Sequence, residues 1–187
     1  MIITILSIGK IKNKSILNLF NDFKKRISRF QRIKIIEIKD STQEKESKQL
    51  IEYFNSHKEQ QIYLLDERGK IYTSKLFSEM LKQDEEDSKD ITFIIAGADG
   101  PTNEVKSLIK NHLALSTMTL THEMAKLLLI EQIYRSITIW KNIPYHKTKF
   151  KINGSVPNGH FFYTTKNFTL LRKDLFLLRC KIITSNC

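Results

Sequence analysis

The chain is poor in cysteine: Cys180 and Cys187 are its only two, both near the end of 187 residues. That excludes a disulfide framework, and neither cysteine stands at metal-ligand spacing from a histidine, so no metal is expected. Long apolar runs are absent. No stretch nears the roughly 20 residues that a membrane-spanning helix needs. The opening Met1-Ile2-Ile3-Thr4-Ile5-Leu6 is apolar but has no basic leader and no small-residue cleavage site. It reads as a first strand rather than a signal peptide, and a cytoplasmic location is the default expectation. Two nucleotide signatures are also missing. There is no Gly-Lys-Ser/Thr of a P-loop and no three-glycine dinucleotide fingerprint, which argues against an α/β enzyme built on either. Acidic residues are the last shortage: 20 Asp and Glu stand against 31 Lys and Arg, a net charge of +11.

An excess of that size favours partners with a phosphate backbone, although charge alone does not decide it. The excess is uneven. Residues 148–187 hold Lys149, Lys151, Lys166, Arg172, Lys173, Arg179 and Lys181 against Asp174, which leaves +5 for residues 1–147. This stretch is also rich in Phe, Gly and Asn and shows no strand–helix repeat. The chain therefore divides into a main domain over 1–147 and an atypical basic, Phe-rich extension over 148–187.

Within the main domain, hydrophobic periodicity sets the order of elements. Residues 2–8 read as a strand. Ser15 is a candidate cap for a helix in which Ile16, Leu19, Phe20, Phe23, Ile27 and Phe30 recur at helical spacing. A second strand is expected over 34–38, then a polar loop over 40–48 and a helix over 48–56. Residues 61–65 form a short strand that ends at the turn Asp66-Glu67-Arg68-Gly69. Ser74 is a candidate cap for a helix through Leu81, and residues 84–89 read as a charged, solvated connection. Ile91-Thr92-Phe93-Ile94-Ile95 is a continuous apolar strand, as parallel sheets covered on both faces require. It runs into Ala96-Gly97-Ala98-Asp99-Gly100-Pro101, followed by a helix over 103–111. Residues 115–120 are a short strand or extended loop. Thr121 caps the last helix, where Met124, Leu127, Leu128, Ile133, Tyr134 and Ile137 line one face. Alternation of this kind predicts an α/β domain with a largely parallel sheet, whose ligands bind beyond the carboxyl ends of the strands.

Three strand ends carry distinctive residues: Leu65-Asp66, the segment 96–100, and the segment 115–122. A Gly-rich turn after a buried strand lets backbone N–H groups approach a ligand, although taken alone a plain structural turn is the favoured reading. The hydroxyl-rich 115–122 segment offers main-chain donors and acceptors to an adenine edge, or is simply an edge strand with an N-cap. His146, in Tyr145-His146-Lys147, titrates near neutrality and suits proton transfer, yet a lone surface histidine is more often incidental. Arg135 suits a phosphate contact or a solvated helix face equally.

Six segments in order change this balance. They are MIITILSIGKIK at the start, Tyr63-Leu64-Leu65-Asp66-Glu67-Arg68-Gly69-Lys70, residues 93–100, residues 115–122, Leu129-Ile130-Glu131-Gln132-Ile133-Tyr134-Arg135, and Pro144-Tyr145-His146-Lys147. Together they resemble the ribosomal large-subunit rRNA methyltransferase H family of the SPOUT superfamily over about residues 1–147. The resemblance implies a SPOUT-type α/β knot: a largely parallel sheet flanked by helices with a C-terminal trefoil knot. It implies a homodimer that binds S-adenosyl-L-methionine in the knot and methylates N3 of a pseudouridine in 23S rRNA on the assembled ribosome. It places cofactor contacts on Leu65, Ala96, Gly97, Leu115, Ser116, Thr117, Met118, Thr119 and Leu120. Tyr145 and His146 fall at its substrate side, and His146 and Arg135 are the catalytic candidates. Three departures stand out. The family usually has two adjacent glycines where this chain has Ala96-Gly97, it commonly has Arg at Lys126, and it normally ends just after the Tyr-His-basic sequence. A non-catalytic ribosome-associated protein that kept the fold is the alternative.

Overall fold

The computed structural model describes residues 1–145; His146, Lys147 and the whole 148–187 extension lie outside the described residues. Strands and helices alternate through the described part. In order they are β1 (Ile2–Ile8), α1 (Lys14–Ile27), β2 (Arg32–Ile38), α2 (Gln43–Ser56), β3 (Gln61–Ile71), α3 (Ser74–Glu86), β4 (Ile91–Ile95), α4 (Asn103–Leu108), β5 (Asn111–Ala114) and α5 (His122–Trp140). The strands form one parallel sheet in the order β2-β1-β4-β3-β5. The expectation of a parallel sheet flanked by helices holds.

Parallel strands need crossovers, and the helices that supply them cover both faces. On one face Ile3, Ile5, Tyr63, Ile91, Phe93 and Ile95 meet Phe20 and Ile27 of α1, Phe77 and Leu81 of α3, and the buried stripe of α5. On the other, Leu6, Ile8, Ile62, Leu64 and Ile94 meet Leu50 of α2 and Val105 of α4. Every residue of β4 is buried, which is why its sequence has no polar alternation. Its one hydroxyl, on Thr92, donates to Gln60 Oε1 at 2.7 Å and lies 3.1 Å from the Tyr53 hydroxyl, so the buried polar atom is satisfied.

Several local expectations need correction. Asn13 rather than Ser15 caps α1, accepting from the N–H groups of Ser15 and Ile16. Thr73 rather than Ser74 caps α3. Helix α2 begins at Gln43, inside the stretch read as loop, because the residues its first turns bury, Glu46 and Ser47, are polar and give no apolar signal. The connection read as solvated over 84–89 contains buried Asp84, whose carboxylate accepts from the Tyr63 hydroxyl at 3.2 Å. Burial, more than the charge of Asp84 beside it, pushes the Tyr63 hydroxyl well above its ordinary range. The fifth strand is Asn111–Ala114, so of the two readings of 115–120 the extended loop holds and the strand does not. In α5 the buried stripe is Leu129, Ile130, Ile133, Tyr134 and Ile137 with Lys126, whereas Met124 is exposed. Because α5 packs against both α1 and α3, it is apolar around most of its girth, and periodicity alone cannot select a face.

The path into α5 positions the site. β5 and β1 are three strand spacings apart, about 14 Å at the usual interstrand distance. Yet the first turn of α5 is tied to the turn after β1. Glu123 accepts from the N–H of Lys12 at 2.7 Å and of Asn13 at 3.4 Å, and Lys126 Nζ donates to Gly9 O at 2.6 Å. Residues 115–121 therefore cross the carboxyl ends of β3 and β4.

Candidate functional site

The crossing segment, the β3 end and the β4 end enclose a cleft of about 660 Å³. That is the size of a small-molecule or cofactor site. Each wall has a local cause.

At β3 the chain leaves the ladder after Leu65 and rejoins it at Lys70, so both residues face Leu113 of β5 and residues 66–69 bulge outward. Gly69 permits the return. A Cβ there would lie 2.6 to 2.7 Å from backbone atoms of His112 and Leu113, closer than any side chain tolerates. Asp66 shapes the bulge. Its Oδ1 accepts from Arg68 N–H at 3.0 Å and its Oδ2 pairs with His112 Nδ1 at 3.0 Å.

At β4 the chain turns through Ala96 to Pro101. Gly100 has φ +68°, and its N–H donates to Gly97 O at 3.0 Å. Gln43 of α2 donates to the carbonyls of Asp99 and Gly100, holding the turn from below. Ala96 and Gly97 both lie outside the positive-φ region, so the methyl group of Ala96 is accommodated without backbone strain. Gly97 is small for another reason: a Cβ there would meet Glu46 Oε2 at 2.6 Å and Ile8 Cγ2 at 3.3 Å, on the α2 side of the turn.

The third wall is the crossing segment. Ser116 Oγ accepts from Met118 N–H at 2.9 Å, Thr119 Oγ1 donates to Glu67 Oε2 at 3.2 Å, and Thr121 caps α5 by accepting from Met124 N–H. The Thr119–Glu67 bond bridges two walls at the rim, where Met118 is 74% exposed.

Leu65, Ala96, Gly97, Leu115, Ser116, Met118, Thr119 and Leu120 all line this cleft; Thr117 does not. The crossing segment turns the Thr117 side chain outward, and it is exposed. Asp66, Asp99 and His122, which lie in the three distinctive strand-end segments, line it too, as do Glu67, Lys106 and Ala125, which no sequence pattern singles out as contacts. Three carboxylates against one lysine favour a ligand that carries positive charge. The Nε2 of His122 is buried and has no hydrogen-bond partner among the described residues, and a polar ligand atom would satisfy it. Size, apolar leucines, main-chain groups and acidic balance fit an adenosine bearing a sulfonium.

His112 was not legible as a site residue. Its Nε2 faces the carbonyls of Lys106 at 3.0 Å and Ile109 at 2.7 Å, while Nδ1 faces Asp66. Both ring nitrogens meet acceptors, which suits the doubly protonated ring. Burial lowers the His112 pKa, but the hydrogen bond to Asp66 and those to the two carbonyls outweigh it and raise it overall. For Asp66, burial raises the pKa, and the Arg68 N–H and His112 bring it below its ordinary value. The aspartate contribution is present above its unfolded pKa of about 3.9 and lost as pH falls through the lower folded value. The histidine contribution is full below its unfolded pKa of about 6.5 and lost as pH rises through the higher folded value. In melts at stepped pH, the stability advantage over His112→Gln should therefore be largest at mildly acidic pH and shrink through the alkaline side of neutrality. An advantage that stays constant from pH 5 to pH 9 would remove the imidazolium from this account.

Arg135 and Tyr145 lie elsewhere. Arg135 is ten residues along α5 from Ala125, about 15 Å at helical rise. It pairs with Glu131 Oε1 at 2.5 Å and lies 5.0 Å from the Tyr145 ring centroid, and Tyr145 donates its hydroxyl to the same Glu131 oxygen at 3.0 Å. Burial and then that carboxylate push the Tyr145 hydroxyl up in pKa. The described chain thus brings the cofactor candidates together but separates them from Arg135 and Tyr145. His146 lies outside the described residues.

Comparison with known proteins is consistent with this geometry. The family described as "Predicted SPOUT methyltransferase" matches residues 1–146. A relative from Mycoplasmopsis synoviae named "Ribosomal RNA large subunit methyltransferase H" is 35% identical over 152 residues, covering 79% of this chain and 100% of its own length. Relatives of the same name from Oenococcus oeni and Prochlorococcus marinus are 37% and 40% identical, covering 78% and 76% of this chain and 98% and 94% of their own.

Proposed function

Because the chain belongs to the ribosomal RNA large subunit methyltransferase H family of SPOUT methyltransferases, we propose that it methylates 23S rRNA with S-adenosyl-L-methionine. The target in this reading is N3 of a pseudouridine on the assembled ribosome, and the enzyme is a cytoplasmic homodimer whose C-terminal segment is threaded as a trefoil knot. Residues 1–147 are its methyltransferase domain, and residues 148–187 are an extension outside it. The observation that carries the reading is the acidic, adenosine-sized cleft where Leu65, Ala96-Gly97 and the 115–120 segment converge.

When bound, S-adenosyl-L-methionine supplies a methyl group on a sulfonium, open to in-line displacement by a nitrogen. The chain has to grip the donor, align the nitrogen and manage one proton. Main-chain groups of 96–97 and 115–120 hold the nucleoside, and Asp66, Glu67 and Asp99 offset the positive charge. Arg135 faces the anion that develops when the N3–H is lost, and His146 accepts that proton. Arg135 sits too far along α5 to reach its own cleft, so in this reading it serves the cleft of the partner subunit.

Mass spectrometry of 23S rRNA from cells with and without this gene tests the activity. One added methyl on a pseudouridine-containing fragment, lost on deletion and restored by the purified protein with S-adenosyl-L-methionine, is the expected result. Identical fragments from both strains, with no methylation by the purified protein, would end the catalytic reading.

A further inference from the structure

Residues 23–36 contain no acidic residue and six basic ones: Lys24, Lys25, Arg26, Arg29, Arg32 and Lys34. All six are exposed. They occupy the last turn of α1, the turn that follows and the first half of β2. Arg32 pairs in register with Ile2, so the patch lies at the amino edge of the sheet, opposite the cleft. We infer that this patch is a docking surface for the phosphate backbone of the RNA substrate; the inference rests on the reading of the chain as an rRNA methyltransferase.

Two ordinary explanations cover part of the patch. Cations in the last turn of a helix complement its dipole, which accounts for Lys24, Lys25 and Arg26. Edge strands carry charge to discourage pairing with other chains, which accounts for a charge on β2. Neither explains Arg29, which lies in the turn, nor why one sign runs unbroken for this length. Arg26 is the only member with an ion-pair partner among the described residues, Asp22 at 2.7 Å. The others keep their charge free for an anion.

The patch is also continuous with the candidate substrate side. The Arg26 guanidinium lies 5.7 Å from the Phe23 ring centroid and 5.8 Å from that of Tyr134. Tyr134 packs edge-on against Tyr145 at 4.8 Å, and Tyr145 underlies Arg135. Contacts through Arg26, Tyr134 and Tyr145 thus link the α1 end of the patch to the residues proposed to meet the base. Phe30, exposed amid the cations, offers a single stacking face, which suits an unpaired base. A membrane surface would require a broad apolar stripe beside the charges, and within residues 23–36 Phe30 is the one large apolar side chain exposed.

The test compares the full chain with a variant carrying Lys24→Gln, Lys25→Gln, Arg29→Gln, Arg32→Gln and Lys34→Gln. A second variant carries only the last three changes, which lie outside α1 and spare its dipole. Melts confirm folding. The substrate is large ribosomal subunits purified from the deletion strain. KM for these particles should rise about tenfold or more at physiological salt in the five-site variant, with a smaller rise in the three-site one. Turnover at saturation and S-adenosyl-L-methionine affinity should be unchanged. Plots of log affinity against log salt should flatten by about 0.7 to 0.9 for each phosphate that is no longer neutralised. Unchanged KM and slope in both variants, with normal methylation by the original chain, overturns the patch alone. Failure of the original chain to bind or methylate the particles overturns the patch and the proposed function together. Loss of binding to phosphatidylserine vesicles, with particle binding intact, assigns the surface to a membrane and also overturns it.

Discussion

Arg135→Ala and Ala125→Trp should each lower methylation by about a hundredfold or more, and mixing the two inactive proteins should restore it. The first change removes a guanidinium from the proposed substrate side. The second places an indole in the cleft from the first turn of α5, where Ala125 forms part of the wall. In calorimetry, Ala125→Trp should lose S-adenosyl-L-methionine binding while Arg135→Ala keeps it. After unfolding and refolding together, half of the dimers are mixed, and one of the two sites in each would combine an open cleft with an intact Arg135. Activity should therefore return to about a quarter of the original value if each site is shared across a two-fold axis. The basis is the separation along α5: one rigid helix cannot bring its first turn and a side chain ten residues later to the same small ligand. If Arg135 served the cleft of its own chain, no mixed dimer would contain an intact site and activity would stay lost. Recovery thus decides the geometry as well as the residue.

Much of this site was legible because it is carried by main-chain segments that sequence patterns announce. Ile91–Ile95 is an apolar run bounded by turn residues, so both its strand and its exit at Ala96 could be placed. Leu65 and residues 115–120 follow from the family resemblance, and all but Thr117 face the cleft. What stayed hidden depends on contacts between distant segments. Asn111-His112-Leu113-Ala114 has neither an apolar run nor alternation, and it becomes a strand only because β3 offers it a ladder. His112 looks incidental until β5 places it beside Asp66, 46 residues earlier. Gly69 reads as a turn glycine, but its need is for close approach to the β5 backbone rather than for a particular φ. The separation of Arg135 from the cleft follows from helical rise, but only once the first turn of α5 is known to form part of the cleft, which contacts and not residue order establish.

Lys126 shows the same limit at its strongest, and it supports the second large expected effect. In sequence it stands out only as a lysine where the family commonly has arginine; in the structure it is 1% exposed. Its Nζ donates to Gly9 O, in a turn where Gly9 has φ +70° and a Cβ would lie 2.8 Å from Asp40 Oδ1. Burial lowers the Lys126 pKa, opposed by the nearby charges of Glu37, Asp40 and Glu123. Lys126→Ala deletes a long buried stem and leaves the Gly9 carbonyl unpaired, which should cost about 3 kcal/mol or more and lower Tm by roughly 6 to 12 °C. Lys126→Met keeps the volume and removes the burden of a buried charge, so it should lose only part of that. The order Met above Ala, both below the original chain, is the expected result by thermal melts. A Met variant as stable as the original would mean that packing, and not the ammonium, fixes this junction. The junction matters for function because His122 and Ala125, on the same turns, form one wall of the cleft. Loosening it should therefore weaken S-adenosyl-L-methionine binding in the Ala variant before the fold is lost.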